Sequence, residues 1–281
     1  MHFFVFRVLI KNLSLSPKWA SIFKIFFIFS GLSFPVSMIL SRLFKFYLLN
    51  YYANTWLGVT AIAFFVLFID WIVVKFIPNH GKTITIIAIS IICFISAYSL
   101  YNGLKAPVVK KVSIYLKNLP EHLTGFSIVH LSDIHLEPFK SKKIISSIVD
   151  TVNEIKADLI VITGDLIEGD INNDSYFVEE LKKLKAKYGV IAVTGNHEFY
   201  AGIRNFEELS DRTNIKILRN EMITAAGSLQ IIGLDDDDGR RFDHNGPDLD
   251  SLIPQCDPSK PIILLYHRPT GFDKAVEKGV D

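Results

Sequence analysis

The sequence predicts an α/β domain preceded by an all-α transmembrane region, and three observations carry that expectation. Residues 19–40, 54–77 and 83–101 are apolar runs close to the roughly 20 residues needed to cross the hydrocarbon core of a bilayer. From about residue 105, short β-rich runs alternate with stretches of helical periodicity, the pattern of βαβ units. Several β-rich runs end directly in Asp, Gly, Asn or His. Charge divides at the same place. The 281 residues sum to +1, but residues 1–104 hold eight basic and one acidic residue, and the remainder holds 22 basic and 28 acidic ones. Taken whole, the chain lacks the basic excess of a nucleic-acid binder, so no nucleic-acid partner is expected. Cys93 and Cys256 are too few for a disulfide scaffold. Residues 1–104 are therefore read as the membrane region and 105–281 as the second domain.

In chain order, residues 1–10 are apolar but too short to span, which suits an interfacial segment or part of a longer helix. The run 19–40 contains one Lys, one Gly and one Pro, and the run 83–101 has no charge. The run 54–77 is apolar apart from Asp70 and its polar ends. A carboxylate inside a span is a functional-site candidate by default. Asp70 lies near one end of its run, which favours a snorkelling or helix-paired structural role. Basic residues flank the spans almost equally on both sides, so orientation is not given. Ala106-Pro107 ends the last helix, and alternation over 108–116 predicts a strand. Strands are then expected at 126–131, 159–163, 190–194, 215–218, 229–234 and 262–266, with helices at 142–156 and 175–187. The later strands come without long helices between them, which points to two packed sheets.

Asp133 and His135 follow the first of these strands, Gly164-Asp165 the second, Gly195-Asn196-His197-Glu198 the third and His267 the last. Ligands of open α/β sheets bind beyond the carboxyl ends of the strands, so these side chains would meet along one rim. Carboxylate, imidazole and amide oxygen suit Mn, Fe or Zn. Two such ions about 3.5–4 Å apart can hold a phosphate ester and activate a bound water. Each piece alone is an ordinary turn; the ordered set is specific.

The stretches HLSDIHL (130–136), VITGDLIEG (161–169), VTGNHEFY (193–200) and LLYHRP (264–269) resemble the calcineurin-like metallophosphoesterases, in particular their membrane-anchored bacterial branch. The resemblance implies a β-sandwich flanked by helices with a dinuclear metal site. By it, Asp133 and His135 would bind the first divalent ion, Asp165 would bridge both, and Asn196 and His267 would bind the second. His197 would sit over the phosphate and protonate the leaving oxygen. Glu198 would either orient His197 or cap the following segment. The implied activity is hydrolysis of a phosphoester or pyrophosphate at a bacterial inner membrane. A lipid-linked substrate such as UDP-2,3-diacylglucosamine is one option suggested by the family.

The family pattern has one further element, a strand followed by Gly-His-x-His, that this sequence lacks. Lys278-Gly279-Val280-Asp281 echoes Lys156-Ala157-Asp158, which leads straight into a strand. The domain is therefore expected to be C-terminally incomplete, with weakened metal binding and low activity. The alternative reading is a truncated, non-catalytic membrane protein that retains partial metal binding. Of the remaining residues, the acidic run 235–238 is expected to be a solvated loop, and His130 a buried, hydrogen-bonded core residue. Arg240, Arg241 and His244 are possible phosphate contacts.

Overall fold

The computed structural model describes residues 1–44, 48–105, 107–116, 119–136, 142–169 and 175–281. It divides into two compact units, Met1–Lys105 and Ala106–Asp281.

The first unit is helical: α1 (His2–Leu13), α2 (Pro17–Phe44), α3 (Leu48–Phe76) and α4 (Gly81–Gly103). Three stretches, Pro17–Leu40, Leu49–Phe76 and Pro78–Gly103, have mean hydropathies of 1.9, 2.5 and 2.2. They are long and apolar enough to cross a membrane. The second begins before the expected residue 54, because 48–53 continue the same helix. Large apolar side chains such as Phe29, Phe65 and Phe94 face outward, as lipid-facing positions require and as a water-facing surface would not tolerate.

The N-terminal stub is helical and its helix extends to Leu13. It forms α1, and Val5 and Val8 are buried against Phe27, Ala63, Leu67, Ala88 and Ile92. Polar contacts then fix its register. Asn12 of α1 donates to Asp70 Oδ2 of α3 at 3.0 Å, and Thr85 of α4 donates to Asp70 Oδ1 at 3.0 Å. Trp56 donates to His2 Nε2 at 2.8 Å. Asp70 is buried, with hydrogen bonds from two other helices, which is the helix-paired role.

The second unit holds two sheets. β1 (Ile128–Leu131), β2 (Leu159–Thr163), β3 (Val190–Val193) and β4 (Ile215–Ile217) form a parallel sheet in that order. β5 (Glu221–Ala225), β6 (Leu229–Gly233) and β7 (Ile262–Leu265) form the other, with β5 antiparallel and β7 parallel to β6. β2 reads as an unbroken apolar run because both of its faces are buried. Ile160 and Ile162 face a core shared with α5 (Lys142–Ile155), α6 (Ser175–Leu181), α7 (Asn196–Ala201) and α8 (Ile203–Arg212). Leu159 and Val161 face a second core with Leu218, Ile231 and Leu265, between the sheets. A third cluster covers the far side of the smaller sheet and includes Leu252 of α9 (Leu249–Leu252). The chain continues through α10 (Phe272–Glu277). The architecture is thus an α/β sandwich flanked by helices.

Three expectations need correction. Residues 108–116 form no strand and pair with no strand among the described residues; Val108, Val112, Ile114 and Tyr115 are exposed. Alternation marks a chain able to be a strand, but a strand also needs a partner edge. The helix expected over 175–187 stops at Leu181. There the Asn153 side chain donates to Lys183 O and accepts from Lys185 N, holding the segment in turns. His130 is hydrogen-bonded to Thr163 at 2.6 Å but lies exposed on β1, the outermost strand of its sheet.

Candidate metal centre

The loops after β1, β2 and β3 emerge side by side because those strands are parallel neighbours. Backbone hydrogen bonds pin the first loop to the second, from Asp133 N to Gly164 O at 3.2 Å and from His135 N to Asp165 O at 2.9 Å. Asp133, His135 and Asp165 all adopt left-handed backbone conformations, with φ of 55°, 49° and 51°. Asp and His tolerate that region better than most residues, though it remains unusual for them.

These turns bring the expected side chains together around one oxygen. The Nε2 atoms of His135, His197 and His267 lie 3.7, 4.0 and 3.5 Å from Asp165 Oδ2. Their other ring nitrogens are committed. His267 Nδ1 lies 2.9 Å from Thr163 O, and His135 Nδ1 and His197 Nδ1 lie 2.6 and 2.9 Å from Glu168 Oε2. A carbonyl and a carboxylate can only accept, so Nδ1 of His267 and of His135 is the donor, and His197 Nδ1 faces the same Glu168 oxygen. In the neutral rings the Nε2 lone pairs then point at an already negative oxygen. Lone pairs and a carboxylate facing one another without an intervening proton form the donor set of a cation, and imidazole with carboxylate suits a divalent transition metal. The residues present therefore fit metal ions.

Two groupings satisfy metal-ligand spacing: His135, Asp165 and His197, and Asp133, Asp165 and His267. Asp165 is common to both, the position a bridging ligand takes. Asp133 and His135, which the resemblance pairs on one ion, also lie close, with Oδ1 and Nε2 3.9 Å apart. His197 lies among the possible ligands and stands edge-on to His135, with ring centroids 4.7 Å apart. Asn196 begins α7 and is half-buried.

Glu168 was not foreseen. It lies three residues after Asp165, and its carboxylate accepts from His135 and lies 2.9 Å from His197 Nδ1. The signal was the second acid in Gly-Asp-Leu-Ile-Glu. Glu198 takes the capping role. Its carboxylate is fully buried and accepts from Asp165 N (2.9 Å), Leu166 N (2.8 Å), Ile167 N (3.1 Å) and Gly195 N (2.6 Å). Burial raises its pKa above the ordinary glutamate range, against the pull of those backbone donors. Gly195 is required by space, since a Cβ there would overlap the Asp165 carboxylate.

The acidic run 235–238 is not a solvated loop. Asp235, Asp236 and Asp238 are buried and met by arginines. Arg268 binds Asp236 through two hydrogen bonds of 2.7 and 2.8 Å, and Arg219 binds Asp235 at 2.9 Å. Asp238 is held by Arg268 and Arg241, each at 3.1 Å, and by the Tyr200 hydroxyl. The Tyr200 bond and the two guanidiniums hold the Asp238 carboxyl below the usual aspartate range, and that same bond raises the tyrosine. Through Arg268, the residue after His267, the cluster braces the fourth metal-facing loop. Arg241 is thus engaged with Asp238.

Comparison with known proteins gives the family of the second unit. The family model described as calcineurin-like phosphoesterase matches residues 126–279. An uncharacterized metallophosphoesterase of Helicobacter pylori (strain ATCC 700392 / 26695) is 35% identical over 60% of this chain and 45% of its own length. A transmembrane protein with metallophosphoesterase domain from Danio rerio is 32% identical over 70% of this chain and 47% of its own. The uncharacterized metallophosphoesterase Cj0846 of Campylobacter jejuni is 30% identical over 95% of this chain and 74% of its own. The chain spans just under half the length of the first two relatives.

Proposed function

The chain belongs to the calcineurin-like phosphoesterase family, and from that premise we propose that it is a membrane-anchored, metal-dependent phosphohydrolase. Its substrate would be a phosphoester or pyrophosphate. The observation that carries this reading is the convergence of three imidazole Nε2 atoms and Asp165 Oδ2 within 4.0 Å.

Asp133, His135, Asp165, Asn196 and His267 would hold two divalent ions such as Mn, Fe or Zn, with Asp165 shared. When bound, the ions supply charge neutralisation at phosphorus and a water acidified enough to attack it. The protein's own part is to aim and to move a proton. Glu198 and Gly195 fix the Asp165 turn. His197, whose Nδ1 lies 2.9 Å from Glu168 Oε2, would deliver a proton from Nε2 to the leaving oxygen. Should His197 serve as a ligand instead, with His135 and Asp165, its Nε2 would hold an ion and carry no proton.

The three apolar helices favour an amphiphilic or lipid-linked substrate, with UDP-2,3-diacylglucosamine as one form. They place the protein in a membrane, and a bacterial inner membrane is the proposed site. The test is elemental analysis of the full chain in lipid nanodiscs, followed by turnover of bis(p-nitrophenyl) phosphate with added Mn²⁺. Metal-dependent turnover abolished by Asp165→Asn is expected. Metal uptake with no turnover of any ester would favour the non-catalytic alternative, and no metal uptake would end both readings.

A further inference from the structure

A stripe of rings leads out of the metal centre on the side of His197. The His197 and Tyr200 centroids are 5.2 Å apart at 65°, and those of Tyr200 and Phe242 are 5.8 Å apart at 54°. Behind Phe242 lies the buried ring of Phe199, stacked at 18°. Tyr200 and Phe242 are 51% and 43% exposed. Neither is spent on the core, and both are held from behind: Phe242 by Phe199, Tyr200 by its bond to Asp238. Arg241 meets the Asp238 carboxylate that Tyr200 also holds, and Arg240 and Asp237 share the short helical turn Asp237–Phe242. Arg240 and Arg241 are 67% and 73% exposed, and Asp237 is 48% exposed.

We propose that Tyr200 and Phe242 form the leaving-group subsite of the metal centre, and that it takes a flat aromatic ring. The proposal rests on the phosphohydrolase reading. His197 stands between the metal-facing carboxylate and Tyr200, so a leaving group that departs on the His197 side next meets this pair of rings. The form of the surface selects a ring over a chain. An acyl tail needs an enclosed apolar groove, whereas here the two rings are half in water, and the turn that carries Phe242 also carries Arg240, Arg241 and Asp237. A π-system needs only a face to stack on and gains from nearby arginine. Where the substrate also carries a lipid tail, that tail lies on the other side of phosphorus.

Phosphonates test this without turnover, because their carbon–phosphorus bond is not hydrolysed. Phenylphosphonate and n-hexylphosphonate carry six carbons each and the same charge, and the chain is the more hydrophobic. Binding of both, and of methylphosphonate, is measured by calorimetry on the Mn²⁺-loaded full chain in nanodiscs. Phenylphosphonate is expected to bind about tenfold more tightly than the hexyl compound, in the range of one ring stack. Phe242→Leu keeps an apolar cover over Phe199 and should bring the ratio near one; Phe242→Trp should retain it. A hexyl compound that binds as well as the phenyl one overturns the proposal, and so does a ratio unchanged by Phe242→Leu. If methylphosphonate binds in an Asp165-dependent way but the phenyl compound binds no better, only the subsite fails. If none of the three binds, the phosphohydrolase reading fails with it.

Discussion

Replacing Glu198 with Gln changes one atom type and should disable the centre from beneath. The carboxylate accepts four backbone N–H groups, two on each oxygen: Leu166 and Ile167 on Oε1, Asp165 and Gly195 on Oε2. An amide keeps one oxygen. Whichever way it turns, two N–H groups face an NH₂ group and lose their acceptor. A buried unsatisfied donor costs about 1–3 kcal/mol, so Glu198→Gln should cost about 2–6 kcal/mol. For a domain of this size 1 kcal/mol moves the melting temperature by about 2–4 °C, so the C-terminal unit should melt roughly 5–20 °C lower. All three tryptophans, Trp19, Trp56 and Trp71, lie in the helical unit. Their fluorescence is therefore a poor probe of this change, and calorimetry with hydrogen exchange at residues 165–167 is the proper assay. Faster exchange at those amides and weaker Mn²⁺ binding should accompany the lower melting temperature. A melting temperature within 2 °C of the parent and unchanged exchange would refute the claim that this carboxylate satisfies the turn.

Gly195→Ala should lose metal binding outright, because the added methyl displaces the Asp165 carboxylate; elemental analysis of the purified variant checks this. Asp70→Ala removes the acceptor for Asn12 and Thr85, and should weaken the helical unit by about 1 kcal/mol, read as an earlier unfolding midpoint in a denaturing-detergent titration. Burial pushes the Tyr266 hydroxyl from 10.0 up to about 12. The folded state therefore keeps a proton that the unfolded chain releases. Stability from the neutral phenol is intact below pH 10 and falls as the pH rises toward 12, and Tyr266→Phe should flatten that part of the pH–melting curve. Asp238 has the opposite sign. Its lowered pKa stabilises the fold above the ordinary aspartate range, and this is lost on acidification, so Asp238→Asn should lessen the acid sensitivity of melting.

What the sequence disclosed followed from local chemistry. Bilayer thickness forces long apolar runs, and burial on both faces forces β2 to read as LIVIT, so these features were legible. So was the set of polar strand ends, since parallel neighbouring strands bring consecutive loops to one rim. The failures concern partners remote in sequence. Four consecutive acids look solvated until Arg219 and Arg268, brought in from other strand ends, neutralise them. Alternation over 108–116 looks like a strand until one asks which edge receives it. Glu168 drew no notice because its value lies in two histidines, one supplied by the loop after β1 and the other by α7.

The left-handed turns at Asp133, His135 and Asp165 have a consequence for anyone engineering this protein. Each holds a non-glycine residue where glycine would sit more comfortably, at a cost on the order of 1 kcal/mol. Glycine at any of the three would relieve that cost while deleting a metal-facing group. A selection for heat resistance alone would therefore be drawn toward the centre itself and would reward variants that survive boiling and do nothing. Libraries built for durability should hold these three codons fixed and seek their gains elsewhere.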